Sequence, residues 1–135
     1  MSSTNTARKL EHLLRHRILV LESRQDQVEI LSFVLRRHSY EMIPTSNAKE
    51  ALEQLERGNA DLLIVDSAII GMSTYEFFSN VQKNHPQVPV LVLTNSDAEK
   101  APIEEILGSS HRIVPKPFSP TNLIKTIQDL TKEET

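Results

Sequence analysis

Hydrophobic residues along this chain occur in short consecutive runs that alternate with longer segments of a different periodicity. Five short stretches predict β-strands, at residues 18–21, 41–43, 61–65, 88–93 and 112–114. The first, third and fourth each contain an unbroken run of four apolar residues. Such a run is typical of a strand that is buried on both faces, as in a parallel sheet.

The segments after these strands carry apolar residues at the three- and four-residue spacing of an amphipathic helix. They lie at residues 27–38, 48–57, 73–85, 101–107 and 119–130. Helix-start signatures precede the second, third and fifth of these segments: Asn47 with Glu50, Ser73 with Glu76, and Ser119 with Pro120. The sequence therefore predicts five consecutive strand–helix units.

This alternation predicts an α/β fold, a doubly wound parallel sheet with helices on both faces. The chain has 135 residues, enough for one domain with a substantial core. We assign residues 17–131 to this domain, residues 132–135 to a tail and residues 1–16 to an N-terminal extension. Leu10, Leu13 and Leu14 predict a short amphipathic helix in the extension, which must dock on its own domain or on a second copy because it is too short to be stable alone.

Composition excludes several classes of protein. The net charge is -3, so the chain lacks the basic field that attracts nucleic acid. It contains no cysteine, which removes disulfide and thiolate chemistry and favours a reducing compartment. The apolar runs are far shorter than a membrane span, and no apolar segment follows the basic N-terminal residues. We expect a cytoplasmic protein that binds neither nucleic acid nor membrane.

Chemically complementary side chains follow four of the predicted strands. Glu22 comes directly after the first strand, Asp66 after the third, Thr94 after the fourth and Lys116 shortly after the fifth. In an open α/β sheet, ligands bind outside the carboxyl ends of the strands. Two carboxylates, a hydroxyl and an ammonium at this edge predict a site that accepts a small charged group.

The order and spacing of these residues resemble the receiver domain of two-component response regulators, over roughly residues 17–130. The resemblance implies a flavodoxin-like sheet of five strands in the order 2-1-3-4-5. It also implies that Asp66 accepts a phosphoryl group, that Thr94 is the switch hydroxyl and that Lys116 is the cation that contacts the phosphoryl oxygens. Lys116-Pro117 would be the cis peptide that is typical of the family.

The resemblance further implies a Mg2+ site formed by Glu22, Asp66 and the backbone carbonyl of Ala68. The second acid of the family's acidic pair is replaced here by Ser23. A hydroxyl carries no charge, and Mg2+ prefers hard anionic oxygens in octahedral geometry. We therefore predict that Mg2+ binding is weak or absent.

Other positions also depart from the family pattern. Asn95 follows the switch threonine, where the family usually has a very small residue, and Ile113 stands where the family has a mobile aromatic ring. Ile70 replaces a proline in the loop after the acceptor, and Ser109-Ser110 replaces Gly-Ala before the fifth strand. These differences predict a degraded or conditional switch.

The resemblance implies a signalling protein, not an enzyme, which receives its phosphoryl group from a histidine kinase or phosphotransfer protein. We expect no room for an output domain, so that the signal would pass through contacts of residues 101–130 with a downstream protein. The predicted N-terminal helix would also allow a homodimer. The alternative is a pseudo-receiver, an adaptor that works without phosphorylation. A nucleotide or flavin binder is disfavoured because residues 22–26 contain no glycine, and a dehalogenase-type phosphatase because Ala68 stands where its second Asp would be.

Overall fold

The computed structural model describes residues 16–108 and 111–131. The described residues form five strands: β1 (Arg17–Leu21), β2 (Glu41–Thr45), β3 (Leu62–Asp66), β4 (Val90–Thr94) and β5 (His111–Pro115). They also form five α-helices: α1 (Gln25–Arg37), α2 (Ala48–Glu56), α3 (Thr74–Asn84), α4 (Lys100–Leu107) and α5 (Pro120–Leu130). A 3-10 turn, Asp97–Glu99, leads into α4. Most of the predicted N-terminal extension, the tail and Ser109-Ser110 lie outside the described residues.

The strands pair in parallel in the order β2-β1-β3-β4-β5, which confirms the predicted fold and strand order. β1 is an interior strand, and Leu19 pairs with Ile43 on one side and with Leu63 on the other. The chain moves outward from β1 to β2 and then returns to the far side of β1 at β3. The point where the strand order reverses therefore lies between β1 and β3, which is where such sheets form their binding crevice.

Alternate residues of each strand pack on opposite faces of the sheet. On one face, Leu19 and Leu21 lie in a core cluster with buried residues of α2, α3 and α4. On the other face, Ile18 and Val20 lie in a cluster with buried residues of α1 and α5. Helices thus cover both faces, as predicted, and the unbroken apolar runs reflect strands that are buried on both sides.

Local capping signals set the starts of three of the five described α-helices. The side chains of Asn47, Ser73 and Ser119 accept hydrogen bonds from backbone N–H groups three residues later, which confirms the three predicted helix starts. The strand predicted at residues 41–43 is two residues longer in the structure, where β2 continues through Pro44 to Thr45. Proline is tolerated there because β2 is an edge strand, where a missing N–H breaks no ladder on the open side.

Two further observations bear on the predictions. The Lys116-Pro117 peptide is cis, as the resemblance implied. Within the part of the chain that the structure describes, no helix is long and apolar enough to cross a membrane.

Candidate functional site

The carboxyl edge of the sheet brings the ends of β1, β3, β4 and β5 together. Backbone pairing continues past the strands, since the N–H of Lys116 donates to the carbonyl of Thr94 at 2.8 Å and that of Ser67 donates to Leu93 at 2.9 Å. This pairing fixes the direction in which the chain leaves each strand. As a result, Glu22, Asp66 and Lys116 meet beside the point where the strand order reverses.

Buried ion pairs connect these three residues. The ammonium of Lys116 donates a hydrogen bond to Oδ2 of Asp66 and lies 3.7 Å from Oε1 of Glu22. All three side chains are at most 7% exposed. The other oxygen of Asp66, Oδ1, accepts the backbone N–H of Ala68 at 2.8 Å. Both oxygens of Asp66 are therefore held in fixed directions.

The surroundings shift the pKa values of Glu22 and Asp66 in opposite directions. Burial alone would raise the pKa of Asp66, but hydrogen bonds from Lys116 and the N–H of Ala68, with the charge of Lys116, lower it below the usual value. The pKa of Glu22 is raised by burial and by the nearby charge of Asp66. Asp66 is therefore the stronger acid of the pair and is ionised at neutral pH, as a carboxylate nucleophile must be.

Arg24 adds a second cation that the sequence analysis missed. Its backbone N–H donates to Oε2 of Glu22 at 3.0 Å, and its Nε lies 3.8 Å from the same oxygen. Its Nη2 lies 3.9 Å from Oδ2 of Asp66, and the side chain is 56% exposed. We call Glu22, Arg24, Asp66 and Lys116 the charge cluster. No periodicity or motif marks Arg24, which becomes visible only when the path of the β1–α1 loop is known.

A second group of residues, the hydroxyl cluster, consists of Ser67, Thr94 and Glu99. The hydroxyls of Thr94 and Ser67 donate to Oε1 of Glu99 at 2.5 and 2.7 Å. Thr94 also accepts the N–H of Ser96 at 3.1 Å. The hydroxyl of Thr94 is thus engaged with Glu99 and Ser96. Ser67 and Glu99 were not predicted, because their contact depends on the 3-10 turn after β4.

The remaining predicted positions lie around these clusters. Ser23 and Asn95 are exposed, and Ile70 is 52% exposed in the loop after β3. Ile113 packs, half-buried, against the core cluster on the α2–α4 side of the sheet. Ala68 contacts Asp66 through its N–H. Its assignment as a carbonyl ligand of a metal stays a prediction.

The donor set does not fit Mg2+ well. Among the described residues, no group of three or more His, Cys, Asp or Glu side chains is placed to hold a metal ion. Both oxygens of Asp66 already accept hydrogen bonds. Oε1 of Glu22 is buried without a hydrogen bond, but Lys116 lies 3.7 Å away as its counter-ion. Mg2+ usually keeps several waters and is held by one or two carboxylates, but both carboxylates of this cluster are already paired with cations.

Comparisons with known proteins identify the family to which the chain is similar. The family model described as "Response regulator receiver domain" matches residues 18–128. The chain is 26% identical over 112 residues to the regulatory protein VanR of Enterococcus faecium, covering 83% of this chain and 48% of VanR. It is 28% identical over 110 residues to the alkaline phosphatase synthesis transcriptional regulatory protein PhoP of Bacillus subtilis, covering 79% of this chain and 45% of PhoP. The chain spans less than half the length of the curated relatives it matches.

One solved structure of a response regulator is similar to this chain in both fold and sequence. The response regulator protein TrrA of Thermotoga maritima, in complex with Mg(2+)-BeF, superposes with a TM-score of 0.76 at 26% identity. The match covers 85% of this chain and 98% of that one.

Proposed function

The chain belongs to the response regulator receiver domains, the signalling modules of two-component systems, and on that premise we propose that Asp66 is its phosphoryl acceptor. The observation that carries the proposal is the buried Asp66–Lys116 pair at the carboxyl edge of the sheet. Lys116 keeps Asp66 ionised before the reaction. After it, the same ammonium is placed to contact an oxygen of the new phosphoryl group, as a point charge.

The proposed donor is a phosphohistidine on a histidine kinase or phosphotransfer protein. An oxygen of Asp66 forms a bond to phosphorus while the phosphorus–nitrogen bond breaks. The electron pair of that bond returns to the imidazole, which takes up a proton, and Asp66 becomes an acyl phosphate. Positioning and charge stabilisation supply most of the catalysis in such transfers, and the residues of the charge cluster provide both.

The hydroxyl cluster would convert the modification into a structural change. To contact a phosphoryl oxygen, Thr94 must release Glu99, which lies in the turn leading into α4. Moving that turn would alter the surface of residues 101–130, where we propose that a downstream protein binds.

The free-energy gain from this exchange is small. A hydrogen bond to a charged group contributes about 1.5–3 kcal/mol, but Thr94 already donates to a carboxylate and would only exchange one charged acceptor for another. Driving a two-state equilibrium from 1:99 to 99:1 requires about 5.5 kcal/mol. We therefore propose a shallow switch, in which a binding partner supplies part of the stabilisation.

A second candidate function is an adaptor that signals without phosphorylation. One observation favours it: both oxygens of Asp66 are already engaged, one by Lys116 and the other by the N–H of Ala68. An incoming phosphorus must use the remaining lone pair of an oxygen that is already hydrogen-bonded.

Intact mass spectrometry after incubation with acetyl phosphate, and separately with a phosphorylated phosphotransfer protein, separates the two functions. The wild type and Asp129→Asn, which changes an exposed carboxylate on α5, are expected to gain one phosphoryl group. Asp66→Asn is expected to gain none. An adduct that persists in Asp66→Asn would show that another residue is the acceptor. A wild type left unmodified by every donor would favour the adaptor.

A further inference from the structure

We propose that Arg24 supplies, from within the chain, positive charge that receiver domains typically obtain from Mg2+. The inference rests on the proposed function only in naming Asp66 as the acceptor. It concerns the charge balance of the unmodified site, which is measurable without any phosphoryl transfer.

The geometry places the guanidinium of Arg24 as a bridge between the two carboxylates. Nε lies 3.8 Å from Glu22 and Nη2 lies 3.9 Å from Asp66. The backbone N–H of Arg24 also binds Glu22, at 3.0 Å, so that main chain and side chain converge on one carboxylate. Lys116 contacts the same two carboxylates from the β5 side.

The formal charges in the charge cluster cancel. Glu22 and Asp66 contribute two negative charges, and Arg24 and Lys116 contribute two positive ones. A divalent cation near the carboxylates would be attracted by two charges and repelled by two others at similar distances. Coulomb energies fall only as the inverse of distance, so most of the attraction is offset.

The absence of a carboxylate at position 23 also supports a site that works without Mg2+. Ser23 stands at the second position of the acidic pair and is exposed. With a serine at that position and an arginine beside the two acids, the site is neutral without metal. The phosphoryl group would then meet two side-chain cations.

The contrary interpretation is that Arg24 is an ordinary surface arginine. Its side chain is 56% exposed, and ion pairs of this kind contribute about 0–1 kcal/mol to stability. On that interpretation, removing its charge leaves the affinity for Mg2+ unchanged. The two interpretations therefore differ in a quantity that can be measured directly.

The deciding experiment is a Mg2+ titration of the unphosphorylated protein, followed by the amide NMR signals of Asp66 and Ala68. Arg24→Gln is expected to bind Mg2+ about tenfold more tightly than the wild type, because one repelling charge is removed. Arg24→Lys, which keeps the charge, is expected to titrate like the wild type. Arg57→Gln removes a positive charge from an exposed residue after α2, before β3, and is the matched control.

The inference is overturned if Arg24→Gln binds Mg2+ no more tightly than Arg57→Gln, or if the wild type binds as tightly as Arg24→Gln. The dispersion of the same spectra shows whether each variant is folded. A second measurement, the yield of acetyl phosphate adduct with Mg2+ and with chelator, is expected to differ little for the wild type and to become Mg2+-dependent in Arg24→Gln. If no adduct forms with acetyl phosphate or with a phosphorylated phosphotransfer protein, the acceptor role of Asp66 fails, while the titration still decides the role of Arg24.

Discussion

The charge cluster and the hydroxyl cluster lie at the same edge of the sheet but are held together by different forces. In the charge cluster, Asp66 and Lys116 are 50 residues apart in sequence and form a buried ion pair. In the hydroxyl cluster, one carboxylate oxygen of Glu99 is shared by two neutral hydroxyl groups. The first depends on which strands are neighbours, and the second depends on the path of one loop.

This difference has an energetic consequence. A buried charge that loses its counter-ion costs several kcal/mol, because the remaining charge is desolvated without compensation. A hydroxyl that loses its acceptor costs less, since it is neutral and can turn toward another oxygen. We therefore expect the charge cluster to dominate the stability of this edge and the hydroxyl cluster to be the part that rearranges.

Of the substitutions that test this difference between the two clusters, Lys116→Met is expected to have the largest effect. Among the described residues, the change leaves Arg24 as the one cation in contact with the buried Asp66 and Glu22. We expect a loss of about 3 kcal/mol in the free energy of unfolding at pH 7. Urea unfolding measures this loss. Lys125→Met, at an exposed position on α5, is the control.

The loss in Lys116→Met should shrink at acidic pH, because protonation removes the unpaired charges. Equal stabilities of the Lys116 and Lys125 variants at pH 7 would mean that solvent, not Lys116, compensates the two carboxylates.

Replacing Glu99 by Gln tests the hydroxyl cluster. The amide oxygen still accepts a hydrogen bond, but without charge, so we expect a loss of about 1–2 kcal/mol in unfolding free energy. Glu104→Gln, at an exposed position of α4, is the control. A double-mutant cycle with Thr94→Val should give a coupling energy of about 1 kcal/mol. Additive effects would contradict the hydrogen bond between Thr94 and Glu99.

The sequence predicted the charge cluster better than the hydroxyl cluster, because the first depends on strand order and the second on the path of a loop. Apolar runs are local signals that locate strands, and parallel strands deliver their carboxyl ends to one edge. The residues Glu22, Asp66 and Lys116 could therefore be brought together before any coordinates were known. The roles assigned to them rest on the resemblance and stay predictions.

Loop geometry explains what the sequence did not predict. Arg24 and Glu99 follow strand ends by a few residues, in segments whose path no periodicity specifies. Thr94 was placed at the correct edge, but the direction of its hydroxyl depends on Glu99 in the following turn. The second strand was predicted over residues 41–43, whereas β2 continues through Pro44 to Thr45, because an edge strand tolerates proline and the edge position is known only from the topology.

The ion pair between Arg17 and Asp61 lies at the amino ends of β1 and β3. It is more exposed than the Asp66–Lys116 pair and serves as a reference for it. Burial alone would raise the pKa of Asp61, but hydrogen bonds from the side chain and backbone of Arg17 lower it. The two side chains are 38% and 36% exposed, so we expect Asp61→Asn to lose only about 1 kcal/mol at pH 7.

The pH dependence of this loss follows from the direction of the pKa shift. A carboxyl whose pKa is lower in the folded state stabilises the fold above its unfolded pKa, which is about 3.9 for Asp. That stabilisation disappears as the pH falls through the folded pKa. The difference between wild type and Asp61→Asn, measured by urea unfolding, should therefore narrow below about pH 4. A constant difference across this range would assign the loss to packing.

The smallest effect on stability is expected for Arg24→Gln, at about 0.5 kcal/mol or less. Its ion-pair contacts, at 3.8 and 3.9 Å, are longer than hydrogen bonds, and its side chain is 56% exposed, so water replaces the guanidinium at little cost. The backbone N–H that binds Glu22 is unchanged by the substitution. Urea unfolding at pH 7, with Arg57→Gln as the control, measures the difference.

Within the charge cluster, we expect Arg24 to contribute much less than Lys116 to the free energy of unfolding. If Arg24 acts through its charge, the difference in Mg2+ affinity between wild type and Arg24→Gln should fall as inert salt is added, because the Debye length drops to about 3 Å at 1 M. If instead Arg24→Gln loses more than about 1.5 kcal/mol, the arginine supports the fold, since exposed pairs rarely contribute that much. A change in Mg2+ binding would then follow from a rearranged loop between β1 and α1.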